Sequence, residues 1–419
     1  MTYIEFFDKV ASENICACLT YTPDRVVYIG KSKTQIERHI ENYRKMFAGR
    51  GKTIDFIPET DYQNTLDGAV ELLSKLVETY DDCVFDITGG DEILTLALGI
   101  VCAKYAEKKI QVHKFNLRNG RAYSCDMDDR TIYHETPALT IEENVQIYGG
   151  KVVYEDAGKQ RTPRWDMNEE FREDIRTLWN ICKIDVRLWN AQINVFEKME
   201  EIGCVSEDGL MTTARMAALK QKLEEDGLKY KYSKRIVSDL RKAGLVVWFD
   251  KDDEEITICY KNQQIKKCLT KAGQTLEMKI YLAAMDVRDK EGEPVYHDAL
   301  NGVFIDWDGQ CHDEETENLY DTENEIDVLL MHGMVPVFVS CKNGDLDAAE
   351  LHKLQVVAER FGGPYARKVL VAPALPFLRK EPYIRQRAKD MGIQVLDDTH
   401  VMNDEQLAKR LKTLWSNSN

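Results

Sequence analysis

Cys83-Val84-Phe85-Asp86-Ile87-Thr88-Gly89-Gly90-Asp91-Glu92 runs from an apolar stretch through paired glycines into a segment where Leu94, Leu98, Val101 and Tyr105 recur at helical spacing. The reading is strand, turn, helix. The same alternation continues upstream. Ile15–Leu19, Val26–Ile29 and Ile54–Ile57 read as strands. Ser32–Met46 reads as a helix, with Ile36, Ile40, Tyr43 and Phe47 on one side, and Ala69–Tyr80 as another. Strands separated by helices imply a parallel sheet covered on both faces. A Rossmann-like domain is therefore expected, closing at Gly149-Gly150. In such sheets ligands gather beyond the C-terminal strand ends, where glycine loops and helix amides suit phosphate. A Gly-Gly turn after a strand is more often only a turn, and Asp91 and Glu92 also complement a helix dipole.

The chain has 419 residues, 43% of them apolar, enough for two or three domains. No stretch approaches the roughly 20 apolar residues that cross a bilayer. The N-terminus shows no secretory pattern, so a cytoplasmic protein without a membrane partner is expected. Eleven cysteines are scattered without a Cys-x-x-Cys pair, which argues for reduced thiols and against structural zinc. Cys16 and Cys18 are expected on one face of a buried strand. The net charge of -16 argues against coating nucleic acid by bulk electrostatics. It leaves room for an enzyme that grips a few phosphates.

Residues 151–268 change character. Asn168–Met199 is helical. A winged-helix flavour follows: a helix over Thr212–Leu223, a second over Lys234–Ala243 capped by Ser233 and stopped at Gly244, then a two-stranded wing from Leu245–Phe249 and Ile256–Tyr260. Lys229, Lys231, Lys234, Arg235, Arg241 and Lys242 cluster with Tyr230 and Tyr232, a composition suited to a nucleic-acid backbone. A packing module with solvated lysines is the plainer reading, and it is slightly favoured. Residues 269–419 read as a second α/β domain, opened by a helix over Thr275–Val287.

In that domain Glu325–Lys342 is a hairpin. Strand alternation puts Glu325 and Asp327 on one face, Ile326 and Val328 on the other. On the return, Ser340 and Lys342 share a face, with Val339 and Cys341 on the apolar side. Glu277 enters from the preceding helix. Carboxylates on adjacent elements can hold a hard divalent cation, and a lysine beside them can stabilise developing charge at a phosphodiester. Each residue alone is as readily a solvated side chain. Ser340-x-Lys342 also admits a serine nucleophile with a lysine base, a reading that would leave the acids without a purpose.

Two resemblances follow. Glu277, Asp327 and Ser340-Cys341-Lys342 resemble, in order and spacing, the PD-(D/E)xK nuclease superfamily. The departure is Ser340, where that pattern carries an acid; Glu325 is the candidate to supply the missing ligand. Asp86-Ile87-Thr88-Gly89-Gly90, with Thr20-Tyr21-Thr22-Pro23-Asp24, resembles the CARF (CRISPR-associated Rossmann fold) domain over about the first third of the chain. Together they are similar to the CARF nucleases of type III CRISPR systems. The resemblance implies an α/β chain with an N-terminal Rossmann-like CARF sensor domain (1–150), a winged-helix-like connector (151–268) and a C-terminal restriction-endonuclease-like α/β nuclease domain (269–419). It implies cyclic tetra-adenylate as allosteric activator, contacted by Thr20, Tyr21, Thr22, Lys31, Ser32, Thr88, Gly89 and Gly90 across a homodimer. It implies Mn2+ or Mg2+ at Glu277, Asp327 and Glu325, with Ser340 and Lys342 completing the catalytic set, and DNA or RNA as substrate. The rivals are a cyclic-oligoadenylate-responsive transcription regulator with a decayed nuclease domain, and a sensor that hydrolyses its own ligand.

Overall fold

The structure is a computed structural model that describes residues 1–118, 121–124, 131–132, 137–156, 158–309, 323–344, 346, 348–373 and 381–416. Its first sheet contains β1 (Thr2–Phe6), β2 (Arg25–Ile29), β3 (Asp55–Glu59), β4 (Cys83–Asp86), β5 (Gln111–Asn116), β6 (Arg121–Ser124) and β7 (Thr131–Ile132). The spatial order is β3-β2-β1-β4-β5-β6-β7. The first five strands are mutually parallel, and β6 and β7 extend the sheet antiparallel. Helices α1 (Cys16–Tyr21), α2 (Lys33–Gly49), α3 (Leu66–Thr79) and α4 (Glu92–Lys104) connect the parallel strands. The chain builds outward from β1 in one direction through β2 and β3, then returns to its other side with β4. The switch point therefore lies between β1 and β4, where ligands of open α/β sheets bind.

One strand assignment is corrected. Ile15–Leu19 is not a strand: a 3₁₀ turn over Glu13–Ile15 runs straight into α1, which buries Cys16 and Cys18. A short run that is apolar all round carries no period to separate strand from buried helix. The central strand is instead Thr2–Phe6, with all five residues buried.

After α5 (Ile141–Ile147), β8 (Lys151–Val152) leaves the first sheet and pairs antiparallel with β15 (Asp298–Asp306) of the second. A Cβ on Gly150 would stand 2.5 Å from Phe361 Cε1 and 2.7 Å from the Asp306 carbonyl, so this glycine is wedged against the second sheet. A ribbon of β9 (Glu155–Asp156) and β10 (Lys159–Gln160) follows. The connector then comprises α6 (Glu169–Cys182), α7 (Val186–Ile202), β11 (Cys204–Val205), β12 (Met211–Arg215), α8 (Met216–Glu225), α9 (Lys234–Lys242), β13 (Val246–Lys251), β14 (Glu255–Tyr260) and α10 (Gln263–Leu269). Its antiparallel sheet has the order β11-β12-β14-β13. The helix expected over Thr212–Leu223 starts only at Met216. Met211–Arg215 alternates exposed and buried residues and pairs with β14, as two adjacent threonines favour.

The last unit contains α11 (Gln274–Asp286), β15, β16 (Glu323–His332), β17 (Val335–Cys341), α12 (Ala348–Gly362), β18 (Arg367–Val371), α13 (Glu381–Asp390), β19 (Ile393–Leu396) and α14 (Asp404–Ser416). The sheet order is β19-β18-β17-β16-β15-β8. One face packs under Trp179, Trp189 and Phe196 of the connector through Val328, Leu330, Val337 and Val339. The other face, through Leu329, Met331 and Phe338, shares a core with Tyr3, Val26 and Tyr28 of the first sheet. Both faces are apolar because both are covered.

Candidate active site

Strand β16 pairs with β15 from Glu323 to Met331, passing over Asp327, but its ladder with β17 stops at Val328↔Val339. Beyond that pair the strands part. Asp327, next in line, fills the gap with its side chain: the Cys341 backbone N–H donates to Asp327 Oδ2 at 2.6 Å, and Ser340 Oγ donates to the same oxygen at 3.3 Å. On the other side Gly302 adopts φ +62°, and Asn301 Nδ2 donates to the Asp327 carbonyl at 2.9 Å. The alternation expected along Glu325–Val328 breaks here. Ile326 joins the core shared with the first sheet, whereas Val328 joins the connector core. Val339 and Cys341 lie in the apolar core, as alternation predicts.

Glu277 lies in the first turn of α11, which starts after Gly273 at φ +89°. It is buried, and its Oε2 has no hydrogen-bond partner. Burial, with Asp327 and Glu325 nearby, pushes its carboxyl up to about 8. Burial also raises Asp327, with Glu325 adding to it and Lys342, Lys271 and the Cys341 amide opposing. Lys342 is disfavoured by burial, but Asp327 and Glu350 outweigh that and hold its ammonium above the usual range. Its Nζ lies 2.8 Å from Glu350 Oε2. A small cavity of about 80 Å³ opens between the parted strands, lined by Asp327, Ser340, Lys342 and Glu350 among others.

Four further residues complete the arrangement. Lys271 pairs with Glu325 and stands 3.9 Å from Glu277 Oε2. Gln274 Nε2 donates to Asn301 Oδ1 at 2.9 Å, tying α11 to the strand that supports Asp327. Glu350 on α12 anchors Lys342. Gln274 stands one helical turn before Glu277, but Lys271, Asn301 and Glu350 stand at no strand or helix spacing from Glu277 or Asp327, so the sequence offers no periodic signal for those three. Among the described residues no three acidic, histidine or cysteine side chains converge closely enough to hold a metal as they stand. Two features nevertheless fit a hard cation. Glu277 presents a buried oxygen without a hydrogen bond, and burial raises the carboxyls of both Glu277 and Asp327, an effect that added positive charge would oppose. Glu325 is at present drawn toward Lys271.

The expected ligand residues fall into two groups. Thr88, Gly89 and Gly90 follow β4 at the switch point. A Cβ on Gly89 would stand 2.7 Å from Asp8 Cβ, and one on Gly90, at φ +89°, 2.3 Å from Phe6 Cβ. The glycines therefore let the loops after β1 and β4 pack against each other. The Thr88 hydroxyl and N–H donate to Asp86 Oδ1, and the hydroxyl accepts from Phe115 N at 2.8 Å. Asp86 is buried, and burial lifts its carboxyl to about 7 against the opposing Thr88 hydrogen bonds. Lys31 and Ser32, after β2, share this end of the sheet. Lys31 pairs with Asp91 at 2.8 Å, and Ser32 Oγ caps α2 by accepting from Gln35 N at 3.4 Å. Thr20, Tyr21 and Thr22 belong to the opposite end. Thr22, at φ +48°, closes α1 just before β2 starts, and accepts from Lys52 Nζ at 2.8 Å. Tyr21 stacks on Tyr3 with ring centroids 5.5 Å apart. The structure does not bring these three to the glycine loop. The loop after β1, with Asp8 against Gly89, takes that place, and it was missed because β1 itself was not read.

No family model matches the chain, and no curated protein matches it by sequence. Solved structures do. Protein VC1899 from Vibrio cholerae superposes with a TM-score of 0.71 at 14% identity, over 99% of this chain and 97% of its own. Can2 from Sulfobacillus thermosulfidooxidans, in complex with cyclic tetra-adenylate, gives 0.67 at 14% identity, over 100% of this chain and 99% of its own. The chain has the fold of these two proteins from end to end. At this identity the likeness concerns architecture: a Rossmann-like parallel sheet followed by further α/β sheets in the same arrangement. No described helix is long and apolar enough to cross a membrane.

Proposed function

We propose that this chain is a metal-dependent nuclease of type III CRISPR defence, activated by a cyclic oligoadenylate and working as a cytoplasmic homodimer. The observation that carries the proposal is the approach of two buried, mutually repelling acids, Glu277 from a helix and Asp327 from a strand remote in sequence, with Lys342 beside Asp327 at the opening between the parted strands. Burying acids that repel each other costs stability. A solvated polar face would not do it.

In this reading Glu277 and Asp327 hold a divalent cation, Mn2+ or Mg2+, with Glu325 as third oxygen donor. When bound, such an ion neutralises phosphoryl charge and lowers the pKa of a water. Asp327 is oriented by the Cys341 amide and the Ser340 hydroxyl. Lys342, kept protonated by Asp327 and Glu350, supplies a fixed positive charge to the phosphorus centre as negative charge develops. Ser340 acts as hydrogen-bond donor to Asp327, in keeping with a polar position that no longer supplies a carboxylate.

We assign the activator to the switch-point loops, with Thr88, Gly89, Gly90, Lys31 and Ser32. Can2, which shares the fold, is seen with cyclic tetra-adenylate, and that ring is the first choice. A homodimer is supported by α4, which follows the glycine loop and exposes Ile93 (38%), Leu96 (59%) and Ile100 (42%) along one side. Such an apolar stripe beside a ligand loop suits a twofold contact.

The test is direct. Supercoiled plasmid, single-stranded DNA and RNA are incubated with the protein, with and without cyclic tetra-adenylate and Mn2+. Cuts that need both additions support the proposal. Ligand-responsive duplex binding with no cleavage would select the transcription regulator instead.

A further inference from the structure

The connector carries a second surface, which shares no residue with the opening beside Asp327. Helix α9 buries Ile236, Val237 and Leu240 on one side. At about 100° per residue, Lys234, Arg235, Ser238, Arg241 and Lys242 fall within an arc of about 120° on the other. All four cations are exposed. None has an ion-pair or hydrogen-bond partner among the described residues, in a chain of net charge -16. Some cations elsewhere on the connector are paired. Lys198, Lys222 and Lys261 each lie within 3.1 Å of an acid. The one acid of α9, Asp239, sits at the edge of the arc.

Beside the helix, α9 and β13 enclose an open groove of about 470 Å³, lined by Tyr232, Lys234, Arg241, Val247 and Phe249 among others. The Tyr232 and Phe249 rings stack 5.7 Å apart and nearly parallel. Lys251 Nζ lies 5.6 Å from the centre of the Tyr232 ring and adds a fifth charge.

From this geometry we infer that the exposed face of α9 and its groove bind the phosphate backbone of a nucleic acid. The cations extend over nine residues of helix, a rise of about 12 Å. That spans several phosphates of one strand, which succeed each other every 3.4 Å along a B-form axis. The stacked rings give the groove an apolar wall against which sugars or bases rest. Leaving four positive charges unpaired on an acidic protein is explained by a polyanion, and the inference does not rest on the nuclease reading.

The experiment uses the full chain in EDTA, where metal-dependent cleavage cannot interfere. Binding of fluorescent 20-mer duplex DNA, single-stranded DNA and RNA is followed by anisotropy between 50 and 200 mM salt. For four phosphate contacts the parent should weaken roughly a hundredfold over this range. The variant Lys234→Ala/Arg235→Ala/Arg241→Ala/Lys242→Ala should lose about three to four from the slope of log K against log salt, at about 0.9 per contact. Lys242→Ala alone should lose about one. Lys33→Ala/Lys45→Ala, removing exposed cations that face Glu37 and Glu41 on α2, should change nothing. Thermal unfolding of every variant reports whether the fold is intact. No binding by the parent, or an unchanged slope in the folded quadruple variant, overturns the inference. So does displacement of the oligonucleotide by polyglutamate at equal charge, which would make this a surface for acidic protein.

Discussion

Cys341 and Asp327 face each other where two strands part, and the backbone N–H of one is held by the carboxylate of the other at 2.6 Å. The bond takes the place of the ladder contact that would follow Val328↔Val339. It fixes an acid at the mouth of the opening while Lys342, the next residue, returns to the sheet by donating its N–H to the Val371 carbonyl at 2.8 Å.

Ser340 stands beside Asp327 where the resembled pattern carries an acid. Ser340→Asp would add a third carboxylate next to Asp327 and Glu277. Like charges in a confined site repel, and a hard cation relieves them. The variant should melt several degrees lower in EDTA and need several-fold less Mn2+ for half-maximal cleavage. A metal titration unchanged from the parent would place position 340 outside the cation's reach.

Asp86 gives a pH prediction. Its carboxyl sits at about 7 in the fold, mainly because it is buried, against an ordinary 3.8. The folded protein therefore holds a proton that the unfolded chain releases, and stability falls as pH rises from about 4 to 7. Above 7 the charged form is buried and the loss is complete. Asp86→Asn keeps an acceptor for Thr88 and removes the charge. Its melting temperature relative to the parent should be several degrees more favourable at pH 8 than at pH 5, by calorimetry. A constant difference across pH would mean that Asp86 does not titrate as described.

Gly90 tests the loop packing. At φ +89° an alanine pays about 1–2 kcal/mol in backbone conformation alone, and its Cβ would stand 2.3 Å from Phe6 Cβ. Gly90→Ala should lower the melting temperature and weaken cyclic tetra-adenylate binding at least tenfold by calorimetric titration. Ala at Gly99, in α4, meets nothing within 4 Å and should do neither.

Leu96 tests the dimer. It is 59% exposed on the apolar side of α4. Leu96→Asp should leave the monomer's melting temperature within about 1 °C, because surface substitutions seldom exceed 0.5 kcal/mol. It should shift the mass in light scattering from two chains to one and abolish activation. A dimeric Leu96→Asp would move the interface elsewhere.

The strand–helix alternation was legible because α2, α3 and the strands beside them carry their own periods and caps. Ser32, Thr65 and Asp91 each accept a first-turn amide, as helix starts require. The buried run at Ile15–Leu19 was misread because it is apolar on every side, and with it went β1 and the loop that meets Gly89. In the second half, a resemblance singles out Glu277, Asp327, Ser340 and Lys342, and strand alternation singles out the last three as well. Neither singles out Lys271, Asn301 or Glu350. They reach Glu325, Asp327 and Lys342 through tertiary contacts across 54, 26 and eight residues respectively, and no local period encodes those. The break at Asp327 was hidden for the same reason, since the β15–β16 register passes over Asp327 and Asn301 of the neighbouring strand holds its carbonyl.

The most direct measurement compares parent and Lys342→Ala for cleavage of single-stranded and supercoiled DNA and of RNA, in Mn2+ with saturating cyclic tetra-adenylate, after confirming equal melting temperatures and equal ligand binding. Removing the ammonium beside Asp327 should slow cleavage by at least about a hundredfold, while ligand affinity stays the same. A Lys342→Ala protein that cuts as fast as its parent would contradict the account.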